Sequence, residues 1–126
     1  MLTLRKTPLR RYIPFRRRKF GNVETEYRGV LYRSRSEANY AIFLDSEKQK
    51  GRIKSWRYEV AIPLHVKGGK KVGDYIVDFL ILYPDDHQEF HEIKGVATSI
   101  WRWKWKHAKL EYPHRRFKLV WSKNWS

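Results

Sequence analysis

The chain has 126 residues, a size that fits one domain with a central sheet and flanking helices and leaves no room for a second domain with its own core. Lysine and arginine number 28 against 13 acidic residues, so the net charge is +15 and a polyanion such as nucleic acid is the expected partner. Cysteine is absent, which excludes disulfides and thiolate zinc sites. No apolar run approaches the roughly 18 residues of a membrane span, and no secretory signal is evident. We therefore expect a soluble, cytoplasmic protein with no membrane partner.

Residues 1–20 are predicted to form a basic N-terminal arm, and residues 21–126 a single folded domain. The arm contains eight basic side chains, no acidic residue, and two prolines that interrupt any helix. A solubilising tail or a localisation signal would have a similar composition. We favour contact with DNA, because each phosphate that a basic side chain neutralises releases counterions.

Residues 27–33 suggest a short strand or hairpin that leads into a helix. The helical spacing of apolar residues predicts that this helix begins at Ser34 or Ser36 and ends at Gly51. Glu37 falls in its first turn. The pattern from Ser34 to Glu37 is also a capping box, in which the glutamate bonds the N-cap backbone. The residues alone leave open whether Glu37 caps the helix or serves a site.

Residues 53–66 contain two strand-like stretches, 53–59 and 60–66, and Pro63 indicates a sheet edge or a bulge. The segment 67–71 follows as a flexible basic turn that includes Lys70 and Lys71. Glu59 lies near the end of the first stretch. An acidic residue in such a place is most often solvated surface.

Residues 75–83 and 87–96 have strand composition, and Pro84, Asp85 and Asp86 supply the turn of a hairpin. A loop over residues 83–87 pairs Leu82 with Gln88 and Leu80 with Phe90. The same register places Asp78 opposite Glu92. Because side chains alternate along a strand, Lys94 emerges on the face of Glu92.

Two carboxylates side by side repel, so Asp78 and Glu92 need a shared proton or a cation. Mg²⁺ prefers oxygen ligands and is commonly held by one or two carboxylates plus substrate phosphate; Mn²⁺ is a possible substitute. Lys94 would then orient water or stabilise developing charge. Exposed strand charges are the alternative, but the apolar neighbours of Asp78 make an unpaired carboxylate costly there. The pattern predicts phosphodiester hydrolysis.

The order of these motifs resembles the PD-(D/E)XK nuclease superfamily, in particular its small phage-encoded endonucleases and Holliday junction resolvases. The matching segments are Arg35-Ser36-Glu37, Tyr58-Glu59, Val77-Asp78-Phe79 and Glu92-Ile93-Lys94-Gly95, and they lie between residues 27 and 121. Val77 stands where the superfamily motif has proline. The resemblance implies that Glu37 joins Asp78 and Glu92 at the metal, that Glu59 flanks the site, and that a homodimer cuts branched or junction DNA in recombination.

Thr98 and Ser99 can cap a second helix over residues 100–111, and residues 115–121 have strand character. Trp101, Trp105, Ala108 and Tyr112 form a core-facing stripe, whereas Trp103 lies off it. Trp103 could pack against a neighbouring element or a dimer partner, or it could stack on a DNA base.

The predicted architecture is α/β, with a PD-(D/E)XK core in which helices flank a mixed sheet of four or five strands. The expected function is a Mg²⁺-dependent DNA endonuclease whose catalytic residues are Glu37, Asp78, Glu92 and Lys94. A non-catalytic nucleic-acid-binding protein is the alternative, although binding alone does not require the acidic triplet. The expected DNA contacts are Arg16, Arg17, Arg18, Lys19, Arg35, Lys70, Lys71, Arg102, Trp103 and Lys106.

Overall fold

The structure is a computed structural model that describes residues 23–126. The basic arm predicted at residues 1–20 lies outside the described residues, and so do the expected DNA contacts Arg16, Arg17, Arg18 and Lys19. The elements in chain order are β1 (Thr25–Tyr27), β2 (Val30–Tyr32), α1 (Arg35–Gln49), β3 (Ser55–His65), β4 (Lys71–Leu82), β5 (Gln88–Lys94), α2 (Ser99–Glu111), β6 (Arg116–Trp121) and a 3-10 turn (Ser122–Asn124).

A mixed four-stranded sheet lies at the centre of the fold. Its strand order is β3-β4-β5-β6, with antiparallel pairing from β3 to β5 and parallel pairing between β5 and β6. The chain reaches β6 through α2, as a parallel connection requires. The strands β1 and β2 form a separate antiparallel hairpin. The predicted α/β class with a mixed sheet is confirmed. No helix within residues 23–126 is long and apolar enough to span a membrane.

The helix α1 has the predicted ends. Ser34 is its N-cap and accepts a hydrogen bond from the backbone N–H of Glu37 at 3.1 Å. Gly51 follows the C-cap with φ +76°, a conformation that glycine adopts without steric cost. The helix buries Ala38, Ala41 and other apolar side chains on one face of the sheet.

Two hydrophobic cores cover the two faces of the sheet. The first packs α1 against Phe79, Ile81 and their neighbours. The second packs α2 against the other face, where the predicted stripe is confirmed: Ala108 is fully buried, and Trp101, Trp105 and Tyr112 pack around it. The sheet is thus buried on both sides, which is why its strands are so rich in apolar residues.

The hairpin of β4 and β5 has the predicted turn and register. The backbone N–H of Tyr83 donates to the carbonyl of His87 at 3.0 Å. Leu82 pairs with Gln88 and Leu80 pairs with Phe90, as predicted. The ladder ends at the pair of Phe79 and His91, so Asp78 and Glu92 lie one position beyond it.

The strand β3 runs continuously through the region where two separate stretches were predicted, and that prediction was wrong. Tyr58 packs in the first core and Val60 in the second, although residues two apart on a strand normally share a face. Glu59 between them has φ +57°, in the left-handed region. At this residue the alternation of side chains between the two faces is interrupted, but the strand continues. The prediction that Pro63 marks an edge is confirmed, because β3 is an edge strand.

In the neighbouring strand β4, the alternation of side chains between the two faces of the sheet is also interrupted, at the position beside Glu59. Val77 belongs to the second core and Phe79 to the first, with Asp78 between them. The pairs that flank this position, Tyr58 with Phe79 and Val60 with Val77, keep one register. Glu59 and Asp78 therefore lie side by side at the point where the side-chain alternation of both strands is interrupted.

Candidate active site

Asp78 is buried at this irregular point of the sheet. Its Oδ2 accepts a hydrogen bond from the backbone N–H of Ile93 at 2.8 Å, just beyond the end of the β4–β5 ladder. Its Oδ1 accepts from Nη2 of Arg33 at 3.1 Å. The side chain is only 3% exposed, so it is a fixed internal carboxylate and not a solvated strand charge.

Glu92 and Lys94 lie next to Asp78, on β5. Glu92 is buried and accepts a hydrogen bond from the hydroxyl of Tyr75 at 2.9 Å. The Nζ atom of Lys94 lies 3.5 Å from Oε2 of Glu92, as expected for two residues on the same face. This ammonium also lies 4.9 Å from the ring centroid of Trp101, in a cation–π contact. Lys94 is thus held at the edge of the acidic cluster.

The two interpretations of Glu37 describe different atoms of the residue. Its backbone N–H is bound by the N-cap Ser34. Its carboxylate accepts a hydrogen bond from the hydroxyl of Tyr58 and is buried beside Asp78, which contributes to its electrostatic environment. Ser34 therefore caps the helix, while the Glu37 carboxylate belongs to the cluster.

Glu59 is a fourth carboxylate of the same cluster. The general expectation of solvated surface was wrong, because its side chain is only 8% exposed. The left-handed backbone conformation of Glu59 directs its side chain into the cluster. In a regularly alternating strand the side chain would not point there. Its Oε2 lies 3.2 Å from Nε of Arg33. Its Oε1 is buried without a hydrogen-bond partner among the described residues.

Arg33 connects these carboxylates, and the sequence analysis missed it. The residue follows β2 and comes immediately before the N-cap of α1. Its guanidinium contacts Asp78 and Glu59 and lies 4.0 Å from Oε1 of Glu37. Arg33 lies outside the helix, so the helical i,i+4 rule does not relate it to Glu37, and no local pattern in the sequence marks it.

Burial and mutual repulsion both disfavour the ionised forms of the carboxylates in the acidic cluster. Burial raises the pKa of Glu37 to about 8, and the charge of Asp78 adds to the rise. Burial also raises the pKa of Asp78, and repulsion from Glu92 is the second cause. The pKa of Glu92 is raised by burial against the attraction of Lys94. Burial alone would lower the pKa of Arg33, but Asp78 and the other acidic groups raise it. Added positive charge would be stabilising here.

Within residues 23–126, no three His, Asp or Glu side chains are already arranged to hold a metal ion. The guanidinium of Arg33 stands among three of the carboxylates. The side-chain atoms of the cluster are nevertheless carboxylate oxygens, the ligand type that Mg²⁺ and Mn²⁺ accept, and Oε1 of Glu59 has no hydrogen-bond partner among the described residues. The chemistry of these residues is therefore that of a divalent-cation site, and Arg33 occupies the space between three of them.

A family model described as "Protein of unknown function (DUF1064)" matches residues 17–125. The chain belongs to this family. The DUF1064 match includes every helix and strand of the structure, and with them Glu37, Asp78, Glu92 and Lys94. No curated protein and no solved structure matches the chain.

The expected DNA contacts that fall within the described part of this DUF1064 chain are all exposed: Arg35, Lys70, Lys71, Arg102, Trp103 and Lys106. Trp103 is 77% exposed, so it does not pack against a neighbouring element of the described chain, and packing against a dimer partner stays a prediction. Ile100 and Leu110 of the same helix are also more than 70% exposed, at 72% and 71%. Helix α2 thus presents large apolar side chains among basic ones, next to the Trp101 that contacts Lys94.

Proposed function

We propose that this protein is a Mg²⁺-dependent DNA endonuclease of the PD-(D/E)XK type. The observation that carries the proposal is the convergence of buried carboxylates from α1, β3, β4 and β5 beside Lys94. A protein that only binds nucleic acid needs basic and aromatic surface but has no use for such a costly cluster. A hydrolase needs it, because the cluster supplies the ligands for a catalytic cation.

Asp78, Glu92 and Glu37 are the residues that would hold the ion. A bound Mg²⁺ or Mn²⁺ supplies Lewis-acid polarisation of the scissile phosphate and lowers the pKa of a bound water. The hydroxyls of Tyr58 and Tyr75 fix the carboxylates of Glu37 and Glu92 by hydrogen bonds. These contacts prepare the ligand geometry before substrate arrives.

Lys94 acts beside these ligands. Its ammonium lies near Glu92 and against the ring of Trp101, which limits where the flexible side chain can go. From this position Lys94 donates a hydrogen bond to a phosphate oxygen or to the attacking water. Its positive charge then stabilises the negative charge that develops in the transition state.

DNA binding is proposed for the exposed basic residues of α1, the 67–71 turn and α2, together with the basic arm. Their positive charge attracts the phosphate backbone without reading sequence. Trp103, between Arg102 and Lys104, would stack on a base at an opened or branched position. The substrate proposed is therefore branched or junction DNA, cut by a homodimer in which each chain contributes one site.

The direct experiment is a cleavage assay on labelled linear duplex, single strand, flap and four-way junction. The purified protein is incubated with each substrate in Mg²⁺, Mn²⁺, Ca²⁺ or EDTA, while sedimentation gives its oligomeric state. We expect cleavage in Mg²⁺ or Mn²⁺, strongest on a branched substrate, and none in EDTA. Tight binding with no cleavage under any condition would favour a non-catalytic nucleic-acid-binding protein instead.

A further inference from the structure

We propose that Arg33 is an internal counter-ion that occupies the cation position of the acidic cluster until a divalent metal displaces it, and that the released guanidinium then binds the DNA phosphate. The inference rests on the proposed nuclease function. It assigns a substrate-binding role to a residue outside the acidic and lysine motif.

The contacts of Arg33 are those expected of a substitute cation. Its Nη2 lies 3.1 Å from Oδ1 of Asp78, and its Nε lies 3.2 Å from Oε2 of Glu59 and 4.0 Å from Oε1 of Glu37. One side chain thus offsets three carboxylates from three different elements. The site cannot accept a second strong cation in the same place while this one remains.

Arg33 also has a route out of the site. Its side chain is 38% exposed, whereas those of Asp78, Glu59 and Glu37 are between 3% and 9% exposed. The Arg33 side chain therefore reaches the solvent, although its Nε is buried. Arginine keeps its charge at any physiological pH, so it must move, and cannot simply lose a proton, when another cation enters.

The arrangement around Arg33 leaves polar atoms unsatisfied. Nε of Arg33 and Oε1 of Glu59 are both buried without a hydrogen bond among the described residues. The contact of Nε with Oε2 of Glu59 is close enough for charge attraction but is not a well-formed hydrogen bond. A planar fork cannot satisfy carboxylates on several sides at once, whereas a small divalent ion can. The cluster is therefore suited to exchange one cation for the other.

The released guanidinium has a ligand available at the same place. DNA brings phosphate to the site, and arginine binds phosphate through two parallel hydrogen bonds. In this exchange the metal replaces Arg33 at the carboxylates, and the phosphate replaces the carboxylates at Arg33. Metal and DNA binding are thereby expected to support each other.

The first test compares Mn²⁺ affinity of the wild type, Arg33→Gln and Arg28→Gln by calorimetry without DNA. Arg28 is the control because it contacts Asp45 at 3.6 Å and its side chain is 75% exposed. We expect Arg33→Gln to bind Mn²⁺ about tenfold more tightly or better, since a competing charge is gone, and Arg28→Gln to match the wild type. With Ca²⁺ present, Arg33→Gln should bind DNA more weakly than Arg28→Gln. Unchanged or weaker Mn²⁺ binding by Arg33→Gln would overturn the inference.

A second measurement uses the wild type, in case Arg33→Gln does not fold. The Nε–Hε resonance of Arg33, assigned by its loss in Arg33→Lys, is followed by NMR during titration with Mg²⁺ and then DNA. We expect it to shift in both steps. A static resonance while Mg²⁺ binds overturns this inference alone if metal-dependent cleavage persists. Absence of metal binding in both the wild type and Arg33→Gln, without cleavage, overturns the proposed function as well.

Discussion

Two tyrosine hydroxyls determine how the carboxylates of the site are oriented. Tyr58 donates to Glu37 and Tyr75 donates to Glu92. Burial raises the pKa of both tyrosines well above the ordinary value, with the neighbouring glutamates as the next cause. Both hydroxyls therefore stay protonated across the working pH range and remain donors. Neither tyrosine was predicted to belong to the site.

Replacing Lys94 by alanine tests whether this side chain acts in the chemical step. Because its charge is expected to stabilise the transition state, Lys94→Ala should lower kcat by roughly 10²-fold with little change in DNA affinity. Single-turnover cleavage and binding titrations measure the two quantities separately. Lys118→Ala, at an exposed lysine of β6, is the matched control. A loss confined to affinity would make Lys94 an ordinary phosphate contact.

Glu37 gives a pH-dependent prediction for the metal-free protein. Its pKa rises from 4.5 to about 8 on folding, so its contribution to stability is full below pH 4.5 and is lost as the pH rises through 8. Glu37→Gln imitates the protonated side chain and should keep that stability at high pH. Since one pKa unit is worth about 1.4 kcal/mol, the gain at pH 9 is on the order of a few kcal/mol.

Urea unfolding in EDTA at pH 5 and pH 9 measures the Glu37 effect. Glu26→Gln, at an exposed glutamate of β1, is the control and should follow the wild type. If Glu37→Gln and the wild type lose the same free energy of unfolding between the two pH values, the Glu37 carboxylate is not the buried, repelled group that its contacts indicate.

At the level of elements, the sequence predicts those features that are determined by neighbouring residues, such as turns, strand register and helix ends. The turn at Pro84 and the alternation around it fix the β4–β5 register, and Ser34 and Thr98 mark the starts of two helices. The position of Glu59 could not be predicted, because nothing in a periodicity of two indicates a non-glycine residue with positive φ. Such a residue depends on its tertiary surroundings.

Arg33 shows a second limit of sequence reasoning. Its partners Glu59 and Asp78 lie 26 and 45 residues away along the chain and are brought together by the packing of the β1–β2 hairpin and α1 on the sheet. A basic residue in a chain with 28 of them carries no individual signal. Its importance is visible only after the carboxylates have been placed around it.

The two faces of α2 give a matched pair of tryptophan variants. Trp105 packs against Phe117 and Tyr75, whereas Trp103 is 77% exposed. Trp103→Ala should leave the free energy of unfolding unchanged and weaken binding to branched DNA by about 1–3 kcal/mol, the value of one stacked base. Trp105→Ala should instead destabilise the fold. Equal DNA affinity of Trp103→Ala and the wild type would remove Trp103 from the binding surface.

At the scale of the whole molecule, the candidate site lies within the sheet, between the hydrophobic core under α1 and the one under α2. The regular alternation of side chains is interrupted at Glu59 and Asp78, and these two polar residues lie between the two cores. Both cores hold the strands around the cluster, so its carboxylates are fixed by the whole domain. The whole chain carries a net charge of +15, so the proposed acidic site belongs to a protein that is expected to attract polyanions such as DNA.

Deleting residues 1–20 tests the contribution of the arm to this attraction. The variant should bind DNA more weakly, and the slope of log K against log salt should fall by about 0.9 for each lost phosphate contact on duplex DNA. Cleavage at saturating protein should persist, because Asp78, Glu92 and Lys94 remain. An unchanged salt slope would assign DNA binding to the 67–71 turn and α2, and failure to fold would assign the arm to the core or to a dimer interface.

The carboxylates themselves give the most direct test of metal-dependent hydrolysis. Asp78→Asn and Glu92→Gln are compared with the wild type for cleavage of the preferred DNA at saturating protein in Mg²⁺, with binding measured in parallel. We predict that both variants lose cleavage while DNA binding is retained or tightened, since repulsion between carboxylate and phosphate is reduced. Full cleavage by either variant would contradict the assignment of the buried acidic cluster as the active site.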